Sequence, residues 1–275
     1  MKKIVAIGGG KIGQPGYPVE TTKIDKEIIR LTGKKNPRLL FIPTASSDSE
    51  SYFKVVKKHF GKRLGCKTDV LYLIEEKPTR KEIEEKILNS DIIYVGGGNT
   101  LKMMKVWRNT GVDKILKRAY GKGVVLSGLS AGSICWFDSG HSDSMSFYNP
   151  KKWEYINVKG LGLIRGIHCP HYNGRTLGVP RRKYFQNMIK KIGGLGIAIE
   201  NNCAIEFIDG RYFKVITSKP RAGAYRVYKK HREIISEKIE QKIELSPLRE
   251  LYKKNLPPKV KIVKILLAGY RPRKT

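Results

Sequence analysis

One segment of the sequence reads Gly123-Val-Val-Leu-Ser-Gly-Leu-Ser-Ala-Gly-Ser-Ile-Cys-Trp136 and joins a short apolar run to a glycine-rich turn. The turn, Gly128-Leu-Ser-Ala-Gly132, matches the G-x-S-x-G pattern of a sharp bend between a strand and a helix. Such a bend lifts Ser130 out of the sheet, and its glycines relieve the clashes of a strained backbone. The segment therefore predicts a nucleophilic serine, although a buried structural serine fits the same short pattern.

Strands and helices alternate regularly around this turn. The pattern predicts strands at residues 2–7, 38–43, 69–74 and 91–95, and helices at 49–60, 79–88 and 181–192. Strands that alternate with helices of these lengths predict an α/β fold with a mostly parallel sheet and helices on both faces. Ligands bind at the carboxyl ends of such strands. Gly96-Gly97-Gly98 and Ser130 both lie at predicted strand ends.

The 275 residues carry a formal net charge of +31, with 55 Lys and Arg against 24 Asp and Glu. Such a charge is compatible with nucleic-acid binding. However, the lysines are spread along the chain and alternate with glutamates, as in Lys81-Glu-Ile-Glu-Glu-Lys86, which is typical of solvated helix surface. We therefore expect nucleic-acid binding only as a minor alternative, through the basic C-terminal extension at 251–275 that follows a single domain at 1–250.

The sequence contains no apolar run long enough for a membrane span and no signal peptide. Its four cysteines are dispersed, without metal-like spacing, so we expect free thiols. We expect a cytoplasmic protein without membrane association. The cysteines are Cys66, Cys135, Cys169 and Cys203.

A serine alcohol needs a base within hydrogen-bond reach and donors for the oxyanion. Histidine is the natural base because its pKa lies near neutral pH. His171 follows Cys169-Pro170 at a predicted strand exit, where its ring can reach a neighbouring strand end; His141 is the alternative. The remaining histidines are His59, His168 and His231.

Gly96-Gly97-Gly98-Asn99-Thr100 allows two compatible interpretations. Asn99 or Thr100 can cap the helix that follows. The glycine amides can also form one side of an oxyanion hole, with the Ala131 amide on the other side.

Three motifs occur in the order and approximate spacing of the peptidase E (aspartyl dipeptidase) and cyanophycinase family of serine peptidases. They are Val95-Gly-Gly-Gly-Asn-Thr100, Gly128-Leu-Ser-Ala-Gly-Ser133 and Cys169-Pro-His-Tyr172. The chain resembles that family from about Lys2 to about Tyr228. The resemblance implies a three-layer α/β/α fold, similar to class I glutamine amidotransferase domains. It also implies Ser130 as the nucleophile, His171 as the base, and Gly97, Gly98 and Ala131 as the oxyanion hole.

The resemblance implies an acid after a later strand as the third member of the triad. Glu200, in Ile197-Ala-Ile-Glu-Asn-Asn202, is the nearest match, and Glu206 and Asp143 are held as alternatives because the spacing can slip.

The resemblance also implies substrate-binding roles for Asn99 and Arg181, the latter as the arginine that binds an N-terminal aspartate. The basic run Pro180-Arg181-Arg182-Lys183 departs from the acidic pattern usual in the family, which weakens the case for strict Asp-X specificity.

The resemblance thus leads us to expect a serine exopeptidase for short peptides, above all dipeptides with N-terminal aspartate, that needs no metal or organic cofactor. A homodimer is compatible with this expectation. The alternatives are a cyanophycinase-like hydrolase of β-linked Asp–Arg, and a non-catalytic family member that binds nucleic acid or a protein partner. Amidotransferase chemistry is disfavoured, because the turn carries Ser130 and Cys135 lies too far along.

Overall fold

The computed structural model of the chain describes residues 1–253. A π-helical segment at Lys57–Arg63 directly follows the helix at Glu50–Val56, and single 3₁₀ turns lie at Thr44–Ser46 and Ser144–Phe147. The α-helices are α1 (Thr22–Arg30), α2 (Glu50–Val56), α3 (Arg80–Leu88), α4 (Thr100–Thr110), α5 (Val112–Gly121), α6 (Ala131–Ile134), α7 (Arg181–Ile192) and α8 (Leu248–Lys253). The strands are β1 (Lys3–Ile7), β2 (Arg38–Ile42), β3 (Lys67–Val70), β4 (Ile92–Val95), β5 (Val125–Leu129), β6 (Phe137–Ser142), β7 (Ile156–Lys159), β8 (Ile164–Cys169), β9 (Arg175–Thr176), β10 (Val179–Pro180), β11 (Leu195–Ile199), β12 (Cys203–Ile208), β13 (Tyr212–Thr217), β14 (Ala224–Lys230), β15 (Glu233–Lys238) and β16 (Ser246–Pro247).

The larger sheet has the strand order β16-β13-β12-β1-β5-β4-β2-β3. Strands β1 to β5 are parallel to one another, and β12 pairs antiparallel with β1. Ile7 lies opposite Leu129, and Val95 lies opposite Gly128, so β1, β4 and β5 end at the same edge of the sheet. The loops that follow these three strands therefore meet there.

Helices cover both faces of this sheet. Successive residues of a strand point to opposite faces. Ile4 of β1 belongs to the buried cluster that contains Trp107 of α4, and Val5 belongs to the cluster that contains Ile28 of α1 and Phe60. Each such side chain stabilises the fold by about 1.5–3 kcal/mol when fully buried. The predicted α/β class, with a mostly parallel sheet between helical layers, is confirmed.

A second sheet, with the order β15-β14-β11-β8-β6-β7, was not predicted from the sequence. Its strands β6, β8 and β11 are parallel, and the others are antiparallel to their neighbours. Strand β8, which leads to His171, therefore lies in a different sheet from the nucleophile strand β5. The chain crosses from the second sheet to the larger one through residues 200–202, between β11 and β12.

Strand β3 spans Lys67–Val70, whereas the sequence pattern predicted a strand at 69–74. Beyond Val70, the backbone N–H of Leu71 still donates to the carbonyl of Phe41 in β2, at 2.9 Å, and the backbone N–H of Ile74 donates to the carboxylate of Asp48, at 2.5 Å. Leu71 and Leu73 are still buried, in the core next to the sheet edge.

Helix α8 contains the predicted domain boundary at residue 250, and Leu251 within it is buried in the core. The rest of the predicted basic extension, residues 254–275, lies outside the described residues. Among residues 1–253, no helix has both the length and the apolar character that a bilayer crossing requires.

Candidate active site

Ser130 connects β5 to α6 with φ 56° and ψ −115°, a strained conformation for a residue with a side chain. Its backbone N–H donates to the carbonyl of Ile7 at the end of β1, at 3.2 Å. Ser130 is partly exposed and lines a cavity of 790 Å³ at the edge where β1, β4 and β5 end. This is the geometry that the sequence pattern predicts for a nucleophile turn.

The glycines of this turn allow the backbone to approach β4 closely. A Cβ added at Gly132 would lie 2.2 Å from the carbonyl oxygen of Val95, and one added at Gly128 would lie 2.4 Å from the carbonyl oxygen of Gly132. The neighbours are backbone atoms, which cannot rotate away as side chains can. The strained turn therefore depends on the absence of side chains at these two positions.

Gly132→Ala is expected to destabilise the protein by about 3 kcal/mol, because the new methyl group overlaps the backbone of β4. Gly121→Ala is the matched control, since no atom lies within 4 Å of the added carbon at the end of α5. The control should be neutral or up to about 1 kcal/mol more stable. Denaturant unfolding measures both changes; equal stability of the two variants would contradict the close packing of the turn.

His171 follows β8 with φ 52° and lines the same cavity as Ser130. Its backbone N–H donates to the carbonyl of Gly8, at 2.9 Å. Its Nδ1 lies 2.6 Å from Oδ1 of Asn201, and its ring packs against Gly9, where an added Cβ would come within 2.4 Å of the ring. Ser130 and His171 thus meet at one cavity although they come from different sheets.

Burial, together with the smaller effect of the nearby Arg181 cation, lowers the pKa of His171 to about 4, although the hydrogen bond with Asn201 acts in the opposite direction. The imidazole of His171 is therefore neutral at pH 7. A neutral imidazole is the form that accepts a proton from a serine.

Glu200 is not brought to His171 by the structure. Its Oε2 accepts a hydrogen bond from the backbone N–H of Gly223, at 2.8 Å, and its side chain lines a separate cavity of 480 Å³. Glu200 and Asn201 directly follow β11, and they line different cavities: Glu200 lines this one and Asn201 lines the cavity of Ser130. The contact with His171 is made by Asn201, which the sequence analysis missed because it sought an acid.

The two alternative acids also lie away from the His171 ring nitrogens. Glu206 is buried in β12 beside Glu27, and burial together with Glu27 raises the pKa of Glu206 to about 7. Asp143 forms an ion pair with Arg181, at 3.2 Å. Within residues 1–253, neither carboxylate is hydrogen-bonded to His171.

His141, the alternative base, is fully buried, and its ring stacks on Tyr155 at 3.9 Å between centroids. Burial lowers the pKa of His141 well below its ordinary value. Of these two histidines, His171 lines the cavity of Ser130 and His141 does not.

Two of the three predicted oxyanion residues lie beside Ser130. A Cβ added at Gly97 would be 3.3 Å from the Ser130 Cβ, and Gly97 lines the cavity. Ala131 begins α6, where backbone N–H groups have no acceptor inside the helix. Gly98 is not in the cavity lining, and its α-carbon packs against the backbone of Ala45, where an added Cβ would lie 2.2 Å from the Ala45 carbonyl oxygen.

The predicted substrate-binding residues have internal partners. Asn99 is buried and caps α4, accepting a hydrogen bond from the backbone N–H of Lys102 at 3.0 Å. Arg181 is also buried; besides its ion pair with Asp143, it donates to the carbonyl of His141 at 3.1 Å and lies over the Tyr155 ring. Neither side chain lines the cavity of Ser130.

Lys11 is the cavity cation that the sequence analysis missed. It lines the cavity of Ser130, with its ammonium group 4.2 Å from the centre of the Tyr17 ring. Glu20, an acid in the same lining, is already paired with Lys219. Lys11 directly follows the glycine loop after β1, and it reaches the cavity because β1 ends beside β5 in the sheet.

A buried chain of hydrogen bonds begins at Ser133, in the helix that follows the nucleophile turn. Ser133 Oγ lies 2.8 Å from the carbonyl oxygen of Ser130 and 2.7 Å from Nε2 of His168. His168 Nδ1 lies 2.8 Å from the carbonyl oxygen of Ile197. Burial lowers the pKa of His168 to about 3, so this ring is neutral and donates to Ile197 through Nδ1. Because Nε2 of His168 is then unprotonated, it accepts the single hydroxyl proton of Ser133, and the chain connects Ser133 of α6 to β8 and β11.

Among residues 1–253, no group of three or more His, Cys, Asp or Glu side chains is arranged to hold a metal ion. Cys135 is fully buried, with its Sγ 3.2 Å from the carbonyl oxygen of Gly132, and it does not line the cavity. A cysteine nucleophile in the manner of an amidotransferase is therefore not placed at this site.

Two solved structures share this fold. A peptidase from an acI-B1 actinobacterium superposes with a TM-score of 0.67 at 18% identity, over 90% of this chain and 97% of that one. A putative peptidase E from Listeria monocytogenes EGD-e gives a TM-score of 0.55 at 21% identity, over 87% of this chain and all of that one.

Sequence comparison identifies relatives that are also named as peptidases. An uncharacterized peptidase, YgaJ, of Bacillus subtilis is 36% identical over 236 residues, which is 85% of this chain and 95% of that protein. Peptidase E of a Nostoc species is 27% identical over 155 residues, which is 55% of this chain and 59% of that protein. The model of peptidase family S51 matches residues 4–215. With a match of this length around the Ser130 cavity, the chain belongs to peptidase family S51.

Proposed function

We propose that this member of family S51 is a serine-type peptidase that hydrolyses short peptides, with Ser130 as the nucleophile and His171 as the general base. One observation carries the proposal: a serine in a strained turn lines the same cavity as a neutral histidine. A strained backbone conformation costs free energy and persists only where the surrounding structure stabilises it. Such conformations cluster at functional sites.

The proposed reaction follows from this geometry. Ser130 Oγ attacks the scissile carbonyl while Nε2 of His171 takes the hydroxyl proton, and the developing oxyanion accepts hydrogen bonds from the amides of Gly97 and Ala131. His171 then returns the proton to the leaving amine, which departs and leaves an ester on Ser130. Water, deprotonated by His171, hydrolyses that ester and regenerates the hydroxyl group.

The volume and the lining of the cavity fit a small substrate that contains an anionic group. Its volume of 790 Å³ falls within the range of about 300–1,000 Å³ for small-ligand sites. Lys11 supplies a cation in the lining, whereas Glu20 is neutralised by Lys219. We therefore place short acidic peptides, including dipeptides with N-terminal aspartate, first among the substrates, with Lys11 rather than Arg181 as the cation that binds the carboxylate.

A panel of dipeptides tests this function. Asp-X, Asn-X and Ala-X peptides and β-Asp-Arg are incubated with the protein, with and without EDTA, and the products are identified by mass. We expect cleavage that is insensitive to EDTA and faster for Asp-X than for the neutral Asn-X control. A folded protein that cleaves no peptide of the panel would overturn the proposal.

A further inference from the structure

The partner of the His171 ring is an amide rather than a carboxylate. Asn201 Oδ1 lies 2.6 Å from His171 Nδ1, while the adjacent acid, Glu200, is hydrogen-bonded to the backbone of Gly223. On the basis of the proposed function, we infer that Asn201 is a positioning residue that holds His171 in its proton-accepting tautomer through an uncharged amide oxygen.

The loops around this contact hold both side chains in place. Asn202 donates its backbone N–H to the carbonyl of Gly9, at 2.8 Å, while His171 donates to Gly8. The backbone N–H of Asn201 donates to Oδ1 of Asn173, at 3.0 Å. A Cβ added at Gly9 would lie 2.3 Å from Asn201 Oδ1 and 2.4 Å from the His171 ring, so both groups pack on the same backbone.

The orientation of the amide decides the tautomer. With Oδ1 facing His171, Nδ1 must carry the proton, and Nε2 is left with a lone pair for the hydroxyl proton of Ser130. The opposite orientation would have the amide N–H₂ donate to Nδ1, and Nε2 would then carry the proton. A histidine in that second tautomer cannot accept a proton from serine. When the triad aspartate of a serine protease is replaced by asparagine, the histidine adopts the wrong tautomer and kcat falls by about 10⁴-fold.

The uncharged partner also determines how protonation of His171 depends on pH. The charged groups that act on the ring are Arg181 from α7, its partner Asp143 after β6, and Lys11 after β1. The buried and neutral His168 lies on β8 itself. Neither cation favours a positive imidazole, and the only acid in this set is already paired with Arg181.

The pH profile of kcat/KM gives the first test. Neutral His171 is the active form, so activity is lost as the pH falls through the pKa of about 4. Asn201→Asp places an anion against Nδ1, which raises a histidine pKa by about 1–3 units. We therefore expect the acid limb of Asn201→Asp to move up by at least about 1 pH unit.

Two further variants distinguish the effect of holding the His171 ring in place from the effect of the Glu200 charge. Asn201→Ala should lower kcat by about 10- to 100-fold with little change in KM, because the ring is no longer held in one orientation. Glu200→Gln keeps an oxygen for the Gly223 N–H and removes only the charge, so the acid limb should stay where it is in the wild type. A limb that shifts in Glu200→Gln and not in Asn201→Asp would assign the role to Glu200 and overturn the inference.

Nitrogen-15 NMR of labelled histidines provides a readout that needs no substrate. The His171 signals are assigned by their loss in His171→Asn. We expect Nδ1 protonated and Nε2 unprotonated in the wild type, and a higher His171 pKa in Asn201→Asp. A wild-type ring protonated at Nε2, or a His171 pKa that is unchanged in Asn201→Asp, would overturn the inference even if Asn201→Ala failed to fold.

The two measurements also distinguish this inference from the proposed function. If no peptide is cleaved but the His171 pKa responds to Asn201→Asp, the proposed activity fails and the positioning contact stands. If peptides are cleaved through Ser130 but neither the acid limb nor the NMR signals respond to Asn201, the activity stands and the role of Asn201 fails.

Discussion

Ser130→Ala is expected to lower kcat/KM for the best peptide of the panel by about 10⁴-fold or more, because the ester intermediate forms on the Ser130 hydroxyl group that the substitution removes. The substitution removes one oxygen from a residue whose backbone is held by Ile7 and by the packing of Gly128 and Gly132. The fold should therefore remain, and thermal unfolding should differ little from the wild type.

Ser90→Ala is the matched control for this loss. Ser90 follows α3, at the opposite end of β4 from the cavity, and its hydroxyl group donates to the carbonyl of Lys86 at 2.6 Å. Activity should be unchanged in this variant. Turnover by purified Ser130→Ala at more than about a tenth of the wild-type rate would rule out Ser130 as the nucleophile.

His171→Asn is expected to lower kcat/KM by about 10³- to 10⁴-fold, because an amide cannot accept the hydroxyl proton of Ser130. Asparagine is the suitable replacement, since His171 has φ 52° and asparagine tolerates positive φ better than most residues. The loss should appear in kcat rather than in KM, because the ring acts on the reacting atoms.

His231→Asn provides the control for the same exchange. His231 lies in the exposed turn between β14 and β15 and has φ 54°, nearly the backbone conformation of His171. Steady-state kinetics of the two variants should therefore differ by about three orders of magnitude. Equal activities would show that His171 is not the base.

The nucleophile turn was predictable from the sequence because its determinants are local. Ser130 needs a strained backbone, and Gly128 and Gly132 are the positions where a side chain would meet the backbone of β4 or of the turn itself. Both conditions are present within five consecutive residues. The parallel strands that lead to this edge were likewise visible as apolar runs separated by helices.

The partner of His171 was not predictable in this way. Whether Glu200 or Asn201 reaches the ring depends on which side each side chain takes beyond the end of β11, where the chain crosses between two sheets. A shift of one residue reverses that direction. The second sheet combines neighbouring pairs such as β14 and β15 with the pairing of β8 and β11, which are separated by a helix and two short strands, so no local pattern specifies its full order.

The roles implied for Arg181 and Asn99 show a further limit. Residue type and position were compatible with substrate binding, but Arg181 is paired with Asp143 and Asn99 caps α4. An internal partner of a polar side chain is a tertiary contact that the sequence does not display. Lys11 reaches the cavity because β1 and β5 end together, which becomes evident only once the sheet order is known.

The central claim is that Ser130 is a nucleophile activated by His171. Reaction of the native protein with diisopropyl fluorophosphate, followed by intact-mass analysis and peptide mapping, tests it without knowledge of the substrate. We predict one phosphoryl group per chain, attached to Ser130, and slow labelling of His171→Asn. A folded protein that remains unlabelled, carries the label on another residue, or reacts equally fast without His171 would contradict the account.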